Sequence, residues 1–139
     1  MEDIEFFKIQ AKNLHKDYKT KHFNKDKGFY EYNPKFFKDI DEILYDWDME
    51  EDLTLMKAQH IIAQMVGCKN WADLIHSNKY KLQLLRLILE NQYNYFIDGR
   101  QYYSPFLLED WKMYESQNCK GFDDESKLEI FKMVFLNKN

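Results

Sequence analysis

Apolar side chains recur at three- and four-residue spacing through most of this 139-residue chain, and glycine and proline seldom interrupt them. That spacing places apolar residues along one face of an α-helix. With only 4 Gly and 2 Pro, the chain lacks the frequent turn signals that a β-sandwich or barrel needs. We therefore predict a mainly α fold, a compact bundle of six or seven helices that forms a single domain over residues 1–139.

The predicted helices follow the apolar stripes and the residues that begin and end helices. Their segments are 3–20, 35–47, 53–66, 70–77, 79–98, 106–117 and 126–137. Asn70 is a predicted N-cap, as is Asp123 or Asp124, and Gly67 suits the position after a helix. Residues 79–98 are apolar on almost every side, so this helix is expected in the middle of the bundle.

Two segments lack the helical spacing. Residues 21–35 contain several turn formers and Pro34, which disfavours a helix at the residue before it. This segment is predicted to be an irregular aromatic loop. Short β-structure is expected within it and at 100–103.

Acidic residues are concentrated in one segment, the acidic block (39–52). The formal net charge is −4, yet this block carries eight acids and no Lys or Arg. The eight are Asp39, Asp41, Glu42, Asp46, Asp48, Glu50, Glu51 and Asp52. Such a block can steer and bind a basic partner, although a solvated helix face and loop is its commoner origin. A calcium loop is not predicted, because the glycine and the later glutamate of an EF-hand are missing.

Lysines line the first predicted helix and continue beyond it, in a lysine row made of Lys8, Lys12, Lys16, Lys19 and Lys21. Lysines at this spacing can contact phosphates, form an ordinary polar helix face, or neutralise the acidic block inside the fold. The neighbouring loop carries Phe29, Tyr30 and Tyr32. These rings can stack on bases or anchor a protein interface, although packing across the loop is the commoner outcome. The chain has only two arginines, which limits bidentate recognition of phosphates.

The chain shows no catalytic or metal-binding motif. Cys68 and Cys119 match no metal or redox spacing, and the four histidines form no HxxxH or HxxE pair. We predict no catalytic residue, no metal and no cofactor. A Cys–His pair assembled in space is a minor alternative. The acidic start and the lack of a long apolar run predict a cytoplasmic protein with free thiols and no membrane partner.

Residues 55–75 read LMKAQHIIAQMVGCKNWADLI and combine a helical stripe, a glycine and a W..L pair. The residues of the pattern are Ala58, Gln59, Ile61, Ile62, Ala63, Gly67, Trp71 and Leu74. Together with residues 11–18, this segment resembles a helical module of unknown function found in glyoxalase-related proteins. The resemblance implies a local helical fold and no active site, because its residues are packing residues.

Three functional hypotheses follow. The first is a non-enzymatic protein-interaction module, which binds or inhibits a basic, nucleic-acid-handling partner through the acidic block and the loop aromatics. A residue usage typical of AT-rich genomes suits an inhibitor encoded by a phage or mobile element, of the anti-CRISPR type. The second is a nucleic-acid-binding module that uses the lysine row and the loop aromatics. The third is a small enzyme with a spatially assembled Cys/His site.

Overall fold

The computed structural model describes residues 2–46, 52–92, 95–97, 100–102 and 106–136. Within these ranges the chain forms seven α-helices and two short antiparallel hairpins. In chain order the elements are α1 (Glu2–Tyr18), β1 (His22–Asn24), β2 (Phe29–Glu31), α2 (Ile40–Asp46), α3 (Leu55–Met65), α4 (Trp71–Ile75), α5 (Lys79–Gln92), β3 (Tyr95–Ile97), β4 (Arg100–Tyr102), α6 (Phe106–Asn118) and α7 (Asp124–Phe135). The predicted mainly α bundle is confirmed.

Helix α5 lies at the centre of the bundle, as its apolar sequence predicts. It packs against α1, α6 and α7, while α1 also packs along α3. The buried residues of α5 lie on more than one of its sides. At the end of α5, the Gln92 side chain donates a hydrogen bond to the Met65 carbonyl, with Nε2 and O 3.2 Å apart. This bond joins the last turns of α5 and α3.

An aromatic cluster packs α6 against α7. Trp111 is buried and meets Phe131 and Phe135 edge-on, with ring centroids 5.2 and 5.8 Å apart. Edge-to-face pairs of this kind add to the stabilisation that burial alone provides. The high aromatic content of the chain is therefore used partly in this packing.

Helix boundaries follow the predicted capping residues. The Asn70 side chain accepts a hydrogen bond from the Asp73 N–H at 2.8 Å, and Asp123 accepts one from the Ser126 N–H at 2.8 Å. These bonds satisfy backbone donors at the first turns of α4 and α7. Gly67 follows α3 with a φ of +88°, a left-handed conformation that favours glycine.

Helix α2 begins later than the sequence suggests. The apolar spacing predicts a helix from residue 35, whereas the structure starts it at Ile40. The cause is Asp17, which is buried at the end of α1 and accepts hydrogen bonds from the N–H groups of residues 35, 36 and 37 at 2.9, 2.9 and 2.6 Å. These contacts hold that segment in a non-helical turn.

The predicted helix over 79–98 is too long. Helix α5 ends at Gln92, and β3 pairs with β4 so that Ile97 faces Arg100. The sequence signal is the Asp-Gly pair at 98–99 between two strand-forming runs, which favours a two-residue hairpin turn. The β-structure expected at 100–103 is confirmed for 100–102, and the loop predicted over 21–35 contains the β1–β2 hairpin.

Candidate functional site

The acidic block divides into buried, exposed and undescribed members. Asp39 is only 8% exposed, and its carbonyl accepts the N–H groups of Glu42 and Ile43 at 3.0 and 3.1 Å, so it begins α2 and does not join the outer surface. Asp41 and Glu42 are exposed. The side chain of Asp46 and the whole of Asp48, Glu50 and Glu51 lie outside the described residues.

Helix α2 presents an outer face that combines charge with an aromatic ring. Asp41 and Glu42 lie four and three residues before Tyr45, so the three side chains are neighbours on the helix surface. Tyr45 is 84% exposed. The other side of α2 buries Ile40 and Ile43 in the core. We call Asp41, Glu42 and Tyr45 the α2 outer face.

Asp52 lies just before α3, where it meets the end of α1. Its Oδ1 accepts a hydrogen bond from the Tyr18 hydroxyl at 3.0 Å. Since this carboxylate has a neutral partner, its charge is not cancelled by the contact. Asp52 is itself exposed, so it can add to the negative potential of the block.

The lysine row is exposed along α1 and just beyond it. Lys8 lies 3.4 Å from Glu5, and the Lys21 ammonium lies over the rings of Tyr18 and Tyr30, 5.8 and 5.3 Å from their centroids. In the part of the chain that the structure describes, no salt bridge joins these five lysines to Asp41, Glu42 or Asp52. Internal neutralisation by the lysine row therefore does not extend to these three acids.

The loop aromatics separate into an exposed set and a packed residue. Phe29 and Tyr30 are exposed on the β1–β2 hairpin, and Tyr30 pairs across the strands with the exposed Phe23, at a centroid distance of 5.2 Å. Tyr32 instead packs on Tyr18 at 5.9 Å, and burial raises the pKa of Tyr32 to about 12. The sequence prediction did not include Phe23, although strand alternation opposite Tyr30 could have identified it.

The hairpin also carries basic and polar groups. Lys27 lies over the Phe29 ring, with Nζ 6.0 Å from its centroid. On the strand face opposite Phe23 and Tyr30, Glu31 accepts a hydrogen bond from the Asn24 side chain at 2.8 Å, and this bond together with nearby Lys27 lowers the pKa of Glu31. The main contacts of the hairpin are between its own two strands, so most of its surface faces solvent.

The two cysteines are free thiols inside the fold. Burial raises the pKa of Cys68 and of Cys119, which keeps both thiols neutral and weakly nucleophilic. A cavity adjoins Cys68, but no histidine is among its lining residues. Among the described residues, no group of three His, Cys, Asp or Glu could hold a metal ion. A Cys–His site is therefore not assembled around Cys68 in this cavity.

The cavity has a volume of about 160 Å³ and lies between the end of α3 and helices α5, α6 and α7. Its lining residues are Val66, Gly67, Cys68, Lys81, Leu84, Leu85, Ile88, Leu108, Trp111, Lys112, Glu115, Asp124 and Lys127. None of these belongs to the residues that the sequence singled out for partner binding. The sequence did not indicate this cavity because its lining residues on α5, α6 and α7 are far apart in the chain.

Within the described helices, none is both long enough and apolar enough to span a membrane.

Comparison with known proteins identifies no relative. Ala58, Ile62 and Leu74 of the glyoxalase-related pattern are buried, but the relationship to that module stays a prediction. No family model, no curated protein and no solved structure matches this chain.

Proposed function

We propose that this chain is a non-enzymatic protein-interaction module, and that the α2 outer face binds a basic partner. The observation that carries the proposal is the exposure of Asp41 and Glu42 beside Tyr45, with no salt bridge from the lysine row to either acid among the described residues. A buried or internally neutralised face would have argued against it. The adjoining Asp52 places a further exposed carboxylate after the same segment.

The two chemistries of this face have different roles in binding. Exposed carboxylates accelerate encounter with a positively charged surface and reject negative ones, but add little affinity once solvated. An exposed tyrosine supplies a large contact area with a polar end, and such residues often dominate interface energetics. Tyr45 is thus the proposed anchor, and the two acids select the sign of the partner's charge.

The class of partner follows from charge. Proteins that handle nucleic acids present surfaces rich in Lys and Arg, and the exposed carboxylates of Asp41, Glu42 and Asp52 are complementary to them in charge. We propose a protein of this class as the partner. Inhibition of such a host protein by a phage or mobile-element protein, as in anti-CRISPR systems, is the specific form of the proposal.

The test is affinity capture from a bacterial lysate followed by binding kinetics with the captured protein. Reversal of both acids by Asp41→Lys/Glu42→Lys is expected to slow association by roughly tenfold or more at low salt. Glu109→Lys/Asp110→Lys is the matched control, since it changes the charge equally at two adjacent exposed acids of α6. Equal effects of the two variants, or none, would contradict the role of the α2 outer face.

The anchor role of Tyr45 is tested separately. Tyr45→Ala is expected to weaken the complex by roughly thirtyfold or more, mainly through faster dissociation. Met56 on α3 is similarly exposed, at 78%, and Met56→Ala serves as a control for general loss of apolar surface. A Tyr45 variant that binds as well as the wild type would rule out this anchor.

A second function is favoured by the β1–β2 hairpin. Its three exposed rings lie near lysines, with Phe23 and Tyr30 on one strand face and Phe29 on the other, and Tyr30 is 61% exposed. Aromatic platforms next to positive charge bind single-stranded nucleic acid by stacking and phosphate contacts. Nucleic-acid binding through this hairpin and the lysine row is the alternative proposal.

Fluorescence anisotropy with a labelled oligothymidylate tests the alternative. Binding at about 50 mM salt should fall steeply as salt increases, and Phe29→Ala/Tyr30→Ala should abolish it. The Tyr45→Ala variant is the control, because it removes an exposed ring outside the hairpin. Undetectable binding by the wild type at low salt would eliminate this function.

A further inference from the structure

One side of the cavity between α3, α5, α6 and α7 is apolar, and charged side chains line the other side. Leu84 and Leu85 line the cavity from one turn of α5, and Ile88 lines it from the next turn. The buried Trp111 of α6 forms an aromatic wall. The cavity volume of about 160 Å³ is close to that of an engineered apolar cavity of about 150 Å³ that binds benzene. A space of this size suits a small molecule and is well below the volume of typical drug-sized sites.

Its charged lining has a small excess of positive charge, with three lysines and two acids. Three lysines line the cavity, and Lys127 already forms a salt bridge with Glu115, with Nζ and Oε2 3.0 Å apart. The other lining acid, Asp124, accepts a hydrogen bond from the Asn78 side chain. Among the described residues, no salt bridge engages Lys81 or Lys112. Both unengaged ammonium groups are therefore available to a ligand.

Two further observations place these lysines at the cavity. Burial raises the pKa of Cys68, and the positive charges of Lys81 and Lys112 partly oppose that rise, so both act on this lining thiol. A Cβ atom added to Gly67 would lie 2.7 Å from Lys112 Cε. The absence of a side chain at Gly67 thus provides the room in which Lys112 crosses the end of α3.

We infer that this cavity binds a small monocarboxylate with an apolar body, whose carboxylate meets Lys81 and Lys112 while its hydrocarbon lies against Trp111 and the leucines of α5. Apolar walls with a few convergent polar groups are the usual composition of ligand sites. A carboxylate has two oxygens that can accept hydrogen bonds from both ammonium groups. The apolar wall favours a ligand with a hydrocarbon body over a fully hydrated inorganic anion. A cationic ligand would meet a lining with more positive than negative groups. This site is separate from the α2 outer face, so it stands or fails independently of the proposed function.

The test is an NMR titration of the isotope-labelled chain with hexanoate, with hexylammonium and 1-hexanol as ligands of the same apolar length. Hexanoate is expected to shift the Trp111 indole N–H and the Leu84 and Ile88 methyl signals, with half-saturation near about 1 mM. Hexylammonium should leave these signals unchanged, and 1-hexanol should bind at least about fivefold more weakly. Equal binding of all three ligands, or no shift with hexanoate at about twenty times that concentration, would overturn the inference.

Two variants locate the carboxylate. Lys81→Met and Lys112→Met keep the length of the side chain and remove its charge, and each should weaken hexanoate binding by roughly fivefold or more without affecting 1-hexanol. Lys12→Met on α1 is the matched control and should leave the affinity for hexanoate unchanged. If both cavity variants bind hexanoate as the control does, the lysines do not hold the carboxylate and the inference is wrong.

Discussion

Asp17 holds the turn that leads into α2 and thereby positions the α2 outer face. Its side chain is 1% exposed, and its two oxygens together accept three backbone hydrogen bonds from residues 35–37. Backbone donors buried without a partner are costly, and charge-assisted bonds are stronger than neutral ones. Replacement of Asp17 should therefore destabilise the turn that leads into α2.

The expected loss of stability follows from the number of hydrogen bonds that Asp17 accepts. Asp17→Asn can keep the two bonds to Phe36 and Phe37 in neutral form, while its amide group faces the Lys35 N–H. Hydrogen bonds to a charged group contribute about 1.5–3 kcal/mol each, so Asp17→Asn is expected to lower the free energy of unfolding by about 2–3 kcal/mol. Asp17→Ala leaves all three donors without this acceptor and should cost about 5 kcal/mol or more.

Equilibrium unfolding in urea measures the effect. A loss of about 2–3 kcal/mol corresponds to a fall of about 1–2 M in the urea midpoint for a chain of this size. Asp26→Asn is the matched control, because Asp26 lies exposed in the hairpin turn and its change should alter the midpoint little. A midpoint for Asp17→Asn equal to that of Asp26→Asn would refute the assignment of Asp17 as the acceptor of the turn.

Three further predictions concern glycine conformation, the buried thiols and high pH. Gly121→Ala should cost about 1 kcal/mol in unfolding free energy and Gly67→Ala more than that, because both have positive φ but only a Cβ at Gly67 meets side chains, Lys112 Cε at 2.7 Å and Leu108 Cδ1 at 3.2 Å; equal urea midpoints would contradict this. Cys68 and Cys119 should react with a disulfide reagent far more slowly in the native chain than in urea, since burial raises the pKa of both thiols; equal rates would refute their burial. Tyr32, whose folded pKa is raised from 10.0 to about 12, contributes stability fully below pH 10.0 and loses it as pH rises to about 12; Tyr32→Phe should show a smaller loss in urea titrations across that range, and an unchanged slope would contradict the raised pKa.

Sequence reasoning predicted the helices well where apolar spacing and capping residues agree. Asn70 and Asp123 begin α4 and α7, and the α5 sequence, apolar on several sides, lies at the centre of the bundle. These features depend on local propensity and burial, which the sequence encodes directly. The first helix and its exposed lysine row are recovered for the same reason.

The predicted start of the second helix was wrong because a tertiary contact overrides a local pattern, whereas the helix predicted over 79–98 was too long because the local Asp-Gly turn signal was missed. The turn at residues 35–37 depends on Asp17, about twenty residues earlier, and spacing alone cannot indicate that contact. The candidate sites also depend on tertiary contacts that the sequence does not reveal. Exposure of Tyr30 and burial of Asp39 both depend on packing, and the cavity depends on Lys81 and Lys112 being brought together from different helices.

The central claim, that the α2 outer face recognises a basic partner, is tested most directly by mapping which face responds to which ligand. The isotope-labelled chain is titrated in separate NMR experiments with a Lys/Arg-rich peptide and with oligothymidylate. The peptide is expected to shift the amide signals of Asp41, Glu42 and Tyr45, and Tyr45→Ala is expected to weaken this response. Shifts confined to the β1–β2 hairpin, produced by the oligonucleotide and not by the peptide, would contradict the claim.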